Sequence, residues 1–166
     1  LAKQLISDEM LQASSIQLSN ERFNSGLYLY IAGFLLGKGL DNLATIFTTQ
    51  WVEENGHSKQ IFDFLTDMNA IPLIKEVNDV NIPISSIKDI GDLFVSKEIE
   101  TTESLEALKQ LAIDDKNSIA EEFYRKMIVQ QQKEMEESTT FADNADLCGD
   151  DWYKAKVWND SYEVED

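Results

Sequence analysis

The sequence predicts an all-α protein, a four-helix bundle with one long crossover and a short C-terminal fifth helix. Three observations carry that expectation. Only two prolines and seven glycines occur in 166 residues, which leaves room for long unbroken helices. Four stretches place apolar residues on one helical face. Finally, a polar spacing repeats: 33 and 36 residues lead from Glu21 to Glu54 and His57, and the same intervals lead from Glu98 to Gln131 and Glu134. The chain therefore reads as two copies of one helical hairpin.

A first helix is expected over about residues 7–37, with Leu11, Leu18, Tyr28 and Leu35 in one stripe and Glu21 inside it. Gly37-Lys38-Gly39 ends it with residues that tolerate positive φ, and Asp41 or Asn42 is expected to cap the next helix. That second helix, about residues 42–69, carries Leu43, Phe47, Glu54, Ile61 and Leu65 on one face. Periodicity fails over residues 70–85, where both prolines, Pro72 and Pro83, stand among Ile, Leu and Val. This is the crossover, expected to run extended along the bundle. Ser85 or Ser86 caps a third helix reaching about Ile113, whose stripe includes Ile87, Gly91, Phe94, Glu98, Leu105 and Leu108. Asp114-Asp115-Lys116-Asn117 is the turn. A fourth helix follows over about residues 118–144, with Tyr124, Met127, Ile128, Gln131, Glu134 and Phe141 near one face. Trp152, Tyr153, Val157 and Trp158 mark an amphipathic fifth helix. Residues 1–145 thus form the bundle, and 146–166 a short helix with an acidic tail.

Helix rise brings the polar positions to one height. At 1.5 Å per residue, Glu21 lies roughly 18 residues before the first turn and Glu54 and His57 roughly 14 to 18 after it. Glu98 lies roughly 17 residues before the second turn, with Gln131 and Glu134 roughly 15 to 19 after it. The i, i+3 spacing puts each pair on one helix face. Singly, each residue has an ordinary explanation: a solvated surface glutamate, a hydrogen-bonded core histidine, a packed tyrosine at Tyr28. Together they bury several carboxylates at mid-bundle, which is costly without a counter-cation. A pair of divalent or trivalent ions is the simplest one.

Thirty-one acidic residues against 14 Lys and Arg give a net charge of −17. Binding to nucleic-acid phosphates draws on clustered Lys and Arg, so no nucleic-acid partner is expected. Cations or basic surfaces are the natural partners, although acidity that merely keeps the protein soluble explains the same number. The one cysteine, Cys148, excludes an internal disulfide framework and reads as an inert side chain near a helix end in a reducing compartment. No leader is visible in residues 1–10, and no apolar run approaches the roughly 18 residues of a membrane span. The expected location is cytoplasmic, with no membrane partner.

With these residues in view, the chain resembles the non-haem bacterial ferritins, within the ferritin-like di-iron family. The matching segments are Asn20-Glu21 through Leu27-Tyr28, the run from Gln50 to His57, Phe62 to Asp67, Lys97-Glu98, and Gln131 to Glu134. The ordered set Glu, Glu-x-x-His, Glu, Gln-x-x-Glu is far more specific than Glu-x-x-His alone. The resemblance implies that Glu21, Glu54 and His57 hold a first iron, and that Glu54, Glu98 and Glu134 hold a second, with Glu54 bridging. Gln131 would stand beside the second iron near the oxygen species, and Tyr28 would donate to a metal-bound oxygen. The implied function is iron storage with ferroxidase activity. Fe(II) would be oxidised at an intra-subunit di-iron centre by O2 or peroxide, and Fe(III) stored as mineral in a homo-oligomeric cage, a 24-mer. Threefold pores would lie near the start of the fourth helix, among Asp114, Asp115, Glu121 and Glu122, with Glu121 the best match.

The departures are informative too. Where related ferritins hold a third iron, Glu53 remains but the fourth-helix positions are Gln130 and Lys133. No haem is expected, because the fourth helix lacks a second Glu-x-x-His and Asn55 stands where a haem-ligating methionine would be. Gly56, inside the second helix, has no explanation at this level. Two other functions stay open: a di-iron or manganese oxidase acting on another substrate, and a non-catalytic acidic assembly that buffers metal.

Overall fold

Local capping signals explain most of the helix boundaries. The structure is a computed structural model and describes residues 2–166. It contains α1 (Asp8–Gly37), α2 (Asp41–Asp67), α3 (Ile87–Asp114), α4 (Ser118–Cys148) and α5 (Trp152–Ser161), with no strand among the described residues. This is the expected all-α bundle with a crossover and a short last helix. The Ser7 side chain caps α1 by accepting from the Met10 N–H. Ser86 and Asp89 form a reciprocal capping box at α3, and Asn117 caps α4 by accepting from the Ala120 N–H.

Two boundaries differ from expectation. Neither Asp41 nor Asn42 caps α2: the N-cap position is Leu40, and Asp41 already lies in the first turn. The missing acceptor comes from α5, where Asn159 Oδ1 accepts from the Leu43 N–H at 3.0 Å and the Asn159 carbonyl accepts from Asn42 Nδ2 at 3.0 Å. The end of α4 lies at Cys148 rather than about Asn144. Asn144 turns its amide back to the Thr140 carbonyl at 3.0 Å instead of ending the helix. Gly149, at φ 60°, is the actual stop. The expected division at 145/146 therefore falls inside α4, and Ala145, Cys148 and Ala155 of α5 share one core cluster.

A polar layer divides the core. On one side Leu27, Tyr28, Ile31, Leu43, Phe47, Phe94 and Phe141 pack together, with aromatic centroids 5.0–6.0 Å apart. On the other side lie Met10, Leu18, Ile61, Leu65, Leu105 and Tyr124. Burying each such side chain contributes about 1.5–3 kcal/mol, so the polar layer is clamped between two strongly driven contacts. Leu11 and Ile128, expected in the stripes, are half-buried at their margins. In α5 the residues facing the bundle are Ala155 and Asn159 with Trp152 and Trp158, whereas Tyr153 and Val157 are exposed on the opposite face. Gly91 is required: a Cβ there would stand 2.9 Å from Ala142 Cα, so α3 and α4 approach backbone to backbone. Gly56 faces open space, and nothing in the structure explains it.

The crossover, residues 68–86, carries no regular structure and is pinned along α1. Ser15 Oγ accepts from the Leu73 N–H at 3.1 Å, Arg22 donates to the Lys75 carbonyl at 2.7 Å, and Tyr30 donates to the Ile82 carbonyl at 3.2 Å. Val80, Ile82 and Ile84 pack against the core.

Candidate metal centre

The polar layer consists of the repeated residues. Glu21 of α1, Glu54 and His57 of α2, Glu98 of α3, and Gln131 and Glu134 of α4 are all buried. Glu21, Glu54 and His57 each offer a ligand atom within 4.8 Å of the others, and so do Glu54, Glu98 and Glu134. Glu54 belongs to both groups. His57 Nε2 lies 3.4 Å from Glu134 Oε1, and His57 Nδ1 lies 3.8 Å from Glu54 Oε2.

Hydrogen bonds hold some of these groups and leave others bare. Tyr28 donates its hydroxyl to Glu98 Oε1, and Gln131 Nε2 donates to Glu98 Oε2 at 2.6 Å. Gln17 Nε2 donates to Glu21 Oε1 at 2.9 Å. Glu21 Oε2, both oxygens of Glu54, His57 Nδ1 and Glu134 Oε2 have no hydrogen-bond partner among the described residues. Unpaired buried polar atoms are rare and costly. Here they converge, and cations would satisfy all of them.

Electrostatics agree with that reading. Burial, reinforced by the charge of Glu54, raises the Glu21 pKa well above the ordinary value. Burial pushes Glu54 up to about 8, opposed by the neighbouring Glu21 carboxyl and reinforced by the charges of Glu98 and Glu134. Burial and then Glu98 and Glu21 push Glu134 up to about 9. Glu98 is raised by burial too, but the bonds from Tyr28 and Gln131 oppose the shift. Four carboxylates and one imidazole form an oxygen-rich set that suits Fe(II), Fe(III) or Mn(II) better than soft metals.

The ferritin-like domain family matches residues 15–148, most of the chain. The chain belongs to the ferritin family. A bacterial non-heme ferritin of Staphylococcus epidermidis is 25% identical over 147 residues, covering 89% of each chain. The same protein of Staphylococcus aureus gives the same identity and coverage. Among solved structures, an open pore ferritin from the hyperthermophilic archaeon Archaeoglobus fulgidus superposes with a TM-score of 0.91 at 20% identity, covering 99% of this chain and 100% of that one. Chlorobium tepidum ferritin gives 0.84 at 22% identity, covering 93% and 94%.

Beside the shared ligand, an ammonium stands next to Glu53. Lys133 Nζ lies 3.5 Å from Glu53 and 3.2 Å from Glu137. Gln130 turns away and accepts from Gln60 at 3.2 Å. Of the four pore candidates, Glu122 is clasped by Arg125 through two bonds of 2.7 and 2.8 Å. Asp115 accepts from Ser7 at 2.6 Å and Asp114 from Gln110 at 2.9 Å. Glu121 lies in the first turn of α4, where the helix dipole favours an anion. Sequence reasoning missed Gln17 and Gln50. Gln17 sits four residues before Glu21, a spacing that marks it as a same-face donor. Gln50 donates to Glu53 at 3.1 Å and to Glu137 at 2.8 Å, and the second contact crosses between helices and leaves no mark in the sequence. No described helix is long and apolar enough to cross a membrane.

Proposed function

We propose that this chain is a subunit of an iron-storage ferritin that takes Fe(II) as its substrate at the paired site, oxidises it, and releases ferric product into the interior of a homo-oligomeric cage. The observation that carries the proposal is Glu54, which is wholly buried, shared by both ligand groups, and offered no amide, hydroxyl or backbone donor at either oxygen. A carboxylate in that state is stabilised by a cation on each side.

In this reading Glu21, Glu54 and His57 hold one Fe(II), and Glu54, Glu98 and Glu134 the other. Loading displaces the protons that burial keeps on Glu54 and Glu134, because only the anions are strong ligands. Tyr28 and Gln131 fix the orientation of Glu98, so its position does not depend on the metal. Each Fe(II) gives up one electron, and O2 or hydrogen peroxide takes the pair as a two-electron acceptor. Carboxylates ligate both oxidation states, so the same ligand set can hold the ion through the change. The relatives bearing the name bacterial non-heme ferritin support storage as the purpose, and a cage supplies the enclosed volume it needs.

Adding Fe(II) to the metal-free protein in air tests the proposal. The expected result is O2 consumption with a soluble ferric product, on particles whose light-scattering mass is many times the 18.9 kDa of one chain. Fe(II) binding without oxidation by either O2 or added hydrogen peroxide would make the protein a metal buffer, and a monomeric mass would remove the cage.

A further inference from the structure

A cavity of about 340 Å³ lies outside the paired site, on the seam between α1 and α3 and beneath the crossover. Two of its lining residues, Asn24 and Thr101, are nearly fully buried, and each stands one helical turn beyond a carboxylate of the site, Glu21 and Glu98 respectively. Asn24 Nδ2 donates to Thr101 Oγ1 at 3.2 Å across the seam. One neutral hydrogen bond, weaker than the charge-assisted bonds beneath it, therefore stands between the cavity and the buried carboxylates.

We propose that Fe(II) reaches the paired site through this α1/α3 seam, with Asn24 and Thr101 as the gate. The proposal rests on reading the paired site as an Fe(II) site. The walls offer oxygen atoms from Asn20, Ser104, Glu76 and Glu100, the ligand type a hydrated divalent cation accepts in place of its own water. Amides and hydroxyls among them bind too weakly to trap it. The one cation among the lining residues, Lys97, is paired on the wall itself: its Nζ lies 3.0 Å from Glu100 Oε2 and 5.9 Å from the Phe23 ring centroid, and with Glu76 the wall keeps a net negative charge. When the Asn24–Thr101 bond opens, the Asn24 amide is free to turn its oxygen to the ion and hand it down to Glu21 and Glu98. On the opposite face of the site the carboxylates already hold a cation. There Lys133 places an exposed ammonium between Glu53 and Glu137, on the seam of α2 with α4. A divalent ion approaching that way must first displace that ammonium from both carboxylates.

The test is the anaerobic loading rate of Co(II), whose visible absorption reports ligation without any oxidation, in stopped flow at low salt. Asn20→Lys with Ser104→Lys sets two ammonium groups across the seam, away from the ligands. Loading is expected to slow by about tenfold or more with the final stoichiometry unchanged. Thr101→Val, which removes the gate's acceptor, is expected to load faster than the unmodified protein. An unchanged rate in the double variant, with its helix content and assembled mass intact, overturns the proposal. A second arm loads Fe(II) to equilibrium before mixing with O2. Equal oxidation rates there support a route for the cation, whereas slowing confined to this arm assigns the seam to the oxidant and overturns it. Failure of the underlying reading looks different: the unmodified protein would bind no Co(II), or the binding would survive Glu54→Ala.

Discussion

The two hairpins contribute repeat-related residues to one site but prepare them differently. In the second hairpin Glu98 is held at both oxygens, by Tyr28 and by Gln131. In the first, Glu21 is held at one oxygen by Gln17 and Glu54 at neither. The intervening positions differ as well: Gly56 in the first corresponds to Lys133 in the second, one facing open space and the other paired with Glu53 and Glu137. An anion that already has donors keeps its orientation whether or not metal is present. One without donors has its energy set almost wholly by the metal. The site thus combines a fixed ligand with a switchable one, and the switchable one is shared.

The largest expected effect follows from that sharing. Glu54→Ala should slow Fe(II) oxidation by more than the roughly 100-fold that outer-shell changes reach, while helix content stays intact. Glu53→Ala, one residue away but about 100° round the helix, should change it far less. Equal rates in the Glu54 variant and the unmodified protein would sink the assignment of the shared ligand.

The unpaired carboxylates should also govern stability against pH. Glu54 at about 8 and Glu134 at about 9 are both raised from an ordinary 4.5. The fold therefore favours their protonated forms. Their contribution is fully present below about pH 4.5 and is lost as pH rises through 8 to 9. Metal-free protein should show a Tm that falls between pH 5 and 9, and saturating Co(II) should flatten that fall. Glu54→Ala should remove much of it; a metal-free Tm that rises with pH would contradict the burial argument.

A smaller effect is expected at the held ligand. Gln131→Leu leaves Glu98 Oε2 without its donor, and oxidation should slow by about tenfold, as is usual for groups that orient a ligand. Gln17→Leu removes the donor on the first hairpin and should cost less, because Glu21 is already half-unpaired. If Gln17→Leu proves the more damaging, the contrast between the hairpins is wrong.

Lys133 and Gly56 give the finest distinctions. Anaerobic titration of the unmodified protein should reach two tightly bound Fe(II) per subunit, and Lys133→Glu should add a third beside Glu53 and Glu137; three in the unmodified protein would show that the ammonium yields its place. Gly56→Ala should stabilise the metal-free protein by up to about 1 kcal/mol, since an added Cβ meets nothing there and the helix gains propensity. A loss of stability in thermal melts would reveal a backbone requirement at that position.

Much of this arrangement was legible in the sequence because it is periodic. The intervals of 33 and 36 residues bring Glu54, His57, Gln131 and Glu134 into one layer with Glu21 and Glu98, and helical rise alone levels them. Ser7, Ser86 and Asn117 announce helix starts through side chains that act within three residues. What escaped was whatever acts across elements. The cap of α2 lies 116 residues away at Asn159, and the Asn24–Thr101 bond joins helices 77 residues apart through two side chains that occur everywhere on protein surfaces. The end of α4, expected about residue 144, lies four residues later, where Gly149 stops the helix through its positive φ.

The Asn159 contact also orders events in time. As the chain emerges from the ribosome, α1, α2, α3 and α4 are all complete before the residue that closes the first turn of α2 has been made. Until then the Leu43 amide must find water, and the start of α2 frays at the end of the bundle where α5 will dock. Helix α5 thus acts as a latch, and the start of α2 is closed only when α5 folds back onto it.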